Sequence, residues 1–249
     1  MKNVLLTCLL LLGLSPALAQ ETNDAKQLAR ARAAIEDLQR IAAPSGIQES
    51  YKTSIGGIDQ WLNVRGQDRS NPIILFVHGG PAAPITPTMW EFQRPIEEYF
   101  TVVHWDQRGA GKTLLESDLD KVAPTIRIER YVDDAIEVAE YVRKRYGKRK
   151  LILVGHSWGT VVGMGAALKR PDLFHAYVGI GQVISTRENE RISYEYAVEQ
   201  AKLHKNEEAL KELASIAPYP GTEPITRERI IVARKWPQHY GGLSAFRSN

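Results

Sequence analysis

Residues 151–159 read Leu-Ile-Leu-Val-Gly-His-Ser-Trp-Gly, and no other stretch restricts the fold as tightly. Four consecutive apolar residues suit a short strand buried on both faces, and the run stops at a glycine. Gly155-His156-Ser157-Trp158-Gly159 then fits G-x-S-x-G, a sharp strand-to-helix turn that lifts a serine hydroxyl above the edge of a sheet. The glycines have a mechanical reason: a turn this tight brings the strand and helix backbones almost into contact, leaving no room for a side chain two residues either side of the serine. After the turn, 160–169 reads as a helix rich in small residues, Gly163, Gly165, Ala166 and Ala167, suited to press on the strand.

The rest of the chain alternates in the same way. Segments 49–55 and 59–65 read as a hairpin around Gly56-Gly57, and 72–77 (Pro-Ile-Ile-Leu-Phe-Val) as a second fully buried strand ending in His78-Gly79-Gly80-Pro81. A helix is expected over 88–99, a strand over 100–105, a strong amphipathic helix over 130–146 and a further strand over 176–183. Strands alternating with helices imply α/β architecture, a mostly parallel sheet with helices on both faces. In such sheets the chemistry lies beyond the carboxyl ends of the strands, where His78 and Ser157 both fall. From 185 onwards the texture becomes charged, helical and strand-free (186–205, 207–217, 226–240), which reads as a helical lid.

The amino terminus carries Lys2, an apolar run from Val4 to Leu14, a break at Ser15-Pro16 and Ala17-Leu18-Ala19, the layout of a secretory signal peptide cleaved after Ala19. The apolar run is too short for a membrane anchor. The mature chain is therefore expected to be secreted or periplasmic, without membrane attachment. Cys8, the single cysteine, lies in the removed segment, so neither a disulfide nor a thiol nucleophile is expected. Segment 23–42 carries Leu28, Ala31, Ile35, Leu38 and Ala42 on one helical face, a leader expected to pack on the domain surface. The expected organisation is thus a signal peptide over 1–19, a leader over 20–46, an α/β core over 47–184 and a helical lid over 185–249. A net charge of +3 on 249 residues, with no basic stripe interleaved with aromatics, gives no reason to expect nucleic-acid binding.

A serine nucleophile needs a base, an acid to orient it, and donors for the oxyanion. The donors are backbone N–H groups, one from the residue after the nucleophile and one from the loop after an earlier strand. That reading selects Trp158 and Gly80 as the oxyanion hole for Ser157. Gly111-Lys112-Thr113 looks like the tail of a phosphate-binding loop, but that motif requires glycine where this chain has Asp106, so nucleotide binding is not expected.

His78-Gly79-Gly80-Pro81, Asp106-Gln107-Arg108-Gly109-x-Gly111 and Gly155-x-Ser157-Trp158-Gly159, in this order, resemble the α/β-hydrolase superfamily and, within it, the proline iminopeptidase-like serine hydrolases. The similarity covers about 54–174. It implies that the Asp-Gln-Arg-Gly segment is a structural loop beside the active site. Two departures stand out. Relatives usually have glycine where this chain has Ala82, and a Trp-Glu pair in the lid whose acid helps hold the substrate's amino group; here the nearest match is Trp236-Pro237-Gln238, with Glu188, Glu190, Glu195 and Glu199 as substitutes.

In this fold the acid and histidine follow the lid. After Ser157 the only aspartate is Asp172, and the histidines are His175, His204 and His239, at the wrong end of a strand or in lid helices. The triad aspartate and histidine are therefore not expected in this chain. The lid, inserted after the sixth core strand, is expected to be incomplete and the last strands absent, leaving 176–183 an exposed apolar edge and this fragment inactive as given. The expected activity is that of an exported serine hydrolase with an acyl-enzyme mechanism, an aminopeptidase acting on small peptides without metal or cofactor. An esterase or lactone hydrolase of the same fold, and a non-catalytic binding protein, remain as alternatives. Oligomeric state and substrate stay open.

Overall fold

The structure, a computed structural model, describes residues 16–242. The elements run α1 (Pro16–Leu38), β1 (Ile47–Ile55), β2 (Ile58–Gly66), β3 (Ile73–Val77), α2 (Met89–Glu97), β4 (Thr101–Asp106), the short α3 (Gly111–Leu115) and α4 (Leu119–Val122), and α5 (Ile128–Arg145). They continue with β5 (Leu151–His156), α6 (Trp158–Lys169), β6 (Phe174–Ile180), α7 (Thr186–Leu203), α8 (Glu207–Ser215) and α9 (Arg227–His239). One six-stranded sheet has the order β1-β2-β4-β3-β5-β6. The β1–β2 hairpin pairs antiparallel and joins β4 antiparallel, whereas β4, β3, β5 and β6 are mutually parallel.

The mostly parallel sheet and its alternation with helices are as the sequence predicts, because each central strand is a short apolar run that must be covered twice. Leu75, Val77, Val103 and Leu153 point to one face, where they form the main core with Ala135, Val138, Ala139 and Val142 of α5 and Val162 and Ala166 of α6. The other face carries α2. There His104 bonds Gln93 (2.8 Å), Gln93 donates to Glu97 (2.7 Å), and Glu97 pairs with the fully buried Arg65 (2.8 Å). This polar chain ties α2 to β4 and β2.

The three C-terminal helices build a separate small core from Ala197, Ala201, Ala209, Leu213 and Trp236. Strand β6 is an edge of the sheet among the described residues, with Val178 and Ile180 exposed, the apolar edge expected over 176–183 when no further strand pairs with it.

One expectation is corrected. Helix α1 does not bury its apolar face: Leu28, Ile35 and Leu38 are 53%, 44% and 54% exposed. The stripe consists of single aliphatic residues among charged neighbours, too little apolar area to offset ordering a packed interface. The end of the leader is held by Arg65 donating to the Gln39 carbonyl (2.7 Å), the Ile41 amide donating to Gln48 (2.9 Å) and the Arg69 amide donating to the Ser45 carbonyl (2.9 Å). The predicted signal segment falls largely outside the described residues. No helix among the described residues is long and apolar enough to cross a membrane.

Candidate active site

Sheet register sets the site. Gly155 on β5 lies opposite Val77 on β3 and Gly179 on β6, so the residues after these strand ends, His78-Gly79-Gly80, Ser157 and Gly181, converge at the carboxyl end of the sheet. Ser157 has φ 52° and ψ −120°, a conformation that a non-glycine residue holds only where its surroundings over-determine it. The surroundings do so. The Ser157 amide donates to the Ile180 carbonyl (2.8 Å), and its carbonyl accepts from the Thr160 hydroxyl (2.6 Å) and amide (2.9 Å). A β-carbon on Gly155 would sit 2.6 Å from the Gly159 carbonyl oxygen, and one on Gly159 would run into the Val77 carbonyl and come within 2.7 Å of that of His78. The two glycines thus let α6 start against β3 and β5.

The preceding loop is held as firmly. Gly79 lies so close to the turn that an added β-carbon would be 3.1 Å from both the Ser157 Cβ and the His156 Nδ1. The buried His78 ring faces the Gly79 carbonyl (Nδ1, 2.8 Å) and accepts from the Gln107 amide (Nε2, 3.3 Å), while the Gln107 side chain donates to the His78 carbonyl (2.9 Å). Burial lowers the His78 pKa, which keeps the ring neutral and able to accept. Gly80 has φ 119° and Ala82 φ 63°, so both positions hold backbone conformations that favour glycine. Neither the Gly80 amide nor the Trp158 amide has a carbonyl partner among the described residues. Trp158 opens α6, where the first amides point out of the helix and carry the positive end of its dipole. Its indole meets Tyr131 edge-on at 6.1 Å, and the Tyr131 hydroxyl donates to the Arg108 carbonyl (2.9 Å).

The Asp-Gln-Arg-Gly segment is welded to the core. Arg108 and Asp134, both fully buried, pair at 2.9 Å; Arg130 and Gln60 also bind Asp134, and the Trp105 indole donates to Gln60. Asp106 accepts from the Lys112 amide (2.8 Å) and the Thr86 hydroxyl (2.9 Å), filling with its own carboxylate the place where the apparent phosphate-loop tail would hold an anion.

The remaining candidates lie elsewhere. His175 begins β6, at the end of the sheet remote from Ser157. His204 bonds the Gln200 carbonyl and stacks on Tyr240, and His239 meets Trp236 edge-on, all within the C-terminal helices. Asp172 is exposed and paired with Arg170 (2.7 Å). No described histidine bonds the Ser157 hydroxyl. Of the lid acids, Glu188 and Glu195 are engaged by Arg191, and Glu190 is buried between Arg234 and the Tyr219 hydroxyl (2.6 Å). The acid at Trp236 comes instead from α8, with the indole donating to Glu212 (2.9 Å).

Sequence reasoning missed Gln107 and Thr160 as individual groups. Gln107 sits inside a motif read only as a loop. Thr160 carries no local mark, because its hydroxyl acts across the turn, donating to Ser157 and accepting from the Val183 amide (3.0 Å) at the entry to α7.

Comparison with known proteins places these features. The chain is 38% identical over 152 residues to "Probable aminopeptidase YbaC" of Bacillus subtilis (strain 168), covering 61% of this chain and 47% of that protein. It is 29% identical over 172 residues to a proline iminopeptidase of Flavobacterium johnsoniae, covering 66% of this chain and 52% of the relative. The chain therefore spans about half the length of these curated relatives. A proline iminopeptidase-related protein from Thermus thermophilus superposes with a TM-score of 0.52 at 22% identity, over 68% of this chain and 56% of that one, a likeness of fold. The family model for the alpha/beta hydrolase fold matches residues 72–213, more than half of the chain and all of the β3-to-β6 region that carries the glycine loop and Ser157, and the chain belongs to that family.

Proposed function

We propose that this chain carries the nucleophile and oxyanion half of an exported serine hydrolase that cleaves small peptide amides by an acyl-enzyme mechanism. The reading rests on one observation above all: Ser157 is held at φ 52° on a strand-turn-helix, with the Gly79-Gly80 loop against it. In the first step the Ser157 hydroxyl oxygen adds to the substrate carbonyl and gives up its proton. The carbonyl oxygen becomes an oxyanion facing the Gly80 and Trp158 amides, and collapse expels the protonated amine and leaves an acyl-serine that water hydrolyses. The names of the relatives support an aminopeptidase, and the segment 1–19 supports export. The base and acid of the relay are not supplied to Ser157 by any described residue.

An oxyanion hole and a positioned nucleophile retain roughly 10³- to 10⁴-fold catalysis without a complete triad. Treatment of the 249-residue protein with a fluorophosphonate, with the adduct located by mass spectrometry, is therefore expected to give slow modification confined to Ser157 and lost in Ser157→Ala. A folded sample in which Ser157 reacts no faster than other exposed serines would overturn the assignment.

A further inference from the structure

At the end of the sheet remote from Ser157 lies a second concave site. The α5–β5 connection reads Arg143-Lys144-Arg145-Tyr146-Gly147-Lys148-Arg149-Lys150, six cations in eight residues with no acid. Arg145, Tyr146 and Lys148 of this stretch, with Glu49 on β1 and Arg69 and Ser70 on the β2–β3 turn, line a cavity of about 510 Å³.

Its cations are held in place. The Arg145 guanidinium lies 4.3 Å from the Tyr51 ring centroid and bonds the Tyr146 hydroxyl (3.2 Å) and Glu49 (3.0 Å). Lys148 donates to the Ser70 carbonyl (2.6 Å) and Arg69 to the Gly46 carbonyl (3.2 Å). The last two partners are neutral, so they fix the cations without cancelling their charge. Two acids stand nearby. Glu49 is taken by Arg145, and the exposed Asp68 accepts from the Ser70 amide (2.8 Å) and lies near enough to Lys148 and Arg69 for their charge to help lower its pKa, so it offsets part of their charge. Lys144 and Arg149, exposed in the same connection, have no ion-pair partner among the described residues. Cations pre-positioned around a concavity lower the ordering cost of capturing a compact anion, and a guanidinium beside an ammonium suits tetrahedral phosphate oxygens.

We infer that the cavity bounded by Arg69, Arg145 and Lys148 is a binding site for a phosphate group, distinct from the hydrolase site and carried either by a soluble phosphorylated compound or by an anionic lipid headgroup. The whole 249-residue chain serves for the test, at constant ionic strength set with potassium chloride. Inorganic phosphate is titrated calorimetrically, and co-sedimentation is measured with vesicles of phosphatidylglycerol in phosphatidylcholine against phosphatidylcholine alone. The pair Arg69→Gln and Lys148→Gln is expected to weaken binding at least tenfold. Lys144→Gln with Arg149→Gln leaves both carbonyl tethers intact and is expected to weaken it by a smaller factor, which guards against a folding defect in the first pair. Saturable phosphate binding lost in the first pair assigns a soluble ligand, and vesicle binding alone, lost in the same way, assigns a headgroup. Binding of neither probe, or equal binding by the first pair and the parent, overturns the inference.

Discussion

At the scale of single residues, two non-glycine positions near the glycine loop take the left-handed region, Ser157 at φ 52° and Ala82 at φ 63°. At Ser157 the conformation presents the hydroxyl and is part of the proposed chemistry. Ala82 has no such compensation in view, and a β-carbon there costs about 1 kcal/mol relative to glycine. Ala82→Gly is therefore expected to raise stability by up to about 1 kcal/mol, or roughly 2–4 °C in Tm for a chain of this size. Calorimetry decides it, and an unchanged or lower Tm would mean that the loop relaxes around the methyl group. The opposite change, Gly159→Ala, drives a β-carbon into the Val77 carbonyl, backbone against backbone, and is expected to cost several kcal/mol or prevent folding. Sequence made Gly159 legible because the turn motif states its own steric demand. The departure at Ala82 was legible too, but its outcome was not: the alanine takes φ 63° within the finished loop.

Among elements, the buried polar connections decide how the helices sit. Arg108→Ala leaves Asp134 in the core without its fully buried guanidinium partner and is expected to destabilise by about 3 kcal/mol, measured by denaturant midpoint at unchanged m-value. Helix α2 reports through pH. His104 is buried between Gln93 and the sheet, and desolvation lowers its pKa to about 3. The unfolded chain therefore binds a proton below the ordinary histidine value of about 6.5 that the folded chain refuses. The stability associated with His104 is whole above that pH and falls away on acidification towards pH 3. In His104→Phe the decline between pH 6.5 and 4 is expected to be shallower, whereas stability at pH 7 drops because Gln93 loses a donor; an identical pH slope in both proteins would remove His104 from the account. The strands and long helices were legible because short apolar runs bounded by glycine, and a 3.6-residue stripe, are local signals. The pairing of Arg65 with Glu97, or of Trp105 with Gln60, was not, since each joins residues brought together only by the finished sheet. The exposed face of α1 shows the same limit from the other side: a helical period states which residues share a face, not whether a surface exists to receive them.

At the scale of the molecule, helices cover the two faces of the sheet unequally. Helices α5 and α6 close one face. On the other, α2 leaves a cavity of about 290 Å³ lined by Phe76, Met89, Phe92, Val154, Val178 and Ile180. Phe92 is 73% exposed, and Val178 and Ile180, on the unpaired edge strand β6, are 46% and 47% exposed. An apolar face running into an open strand edge offers both a hydrophobic surface and a row of backbone donors and acceptors, the combination that drives edge-to-edge association. The 249-residue chain is therefore expected to bind a hydrophobic dye while folded and to associate as its concentration rises, followed by sedimentation velocity. Val178→Lys with Ile180→Lys puts charge on the edge and is expected to suppress the association and reduce dye binding. Because both side chains are about half exposed, the change in Tm should stay small, within about 2 °C. A parent chain that remains monomeric and dye-silent at high concentration would mean that α2 and β6 close over this face in solution, and the unequal covering of the sheet would then not carry into the protein's behaviour.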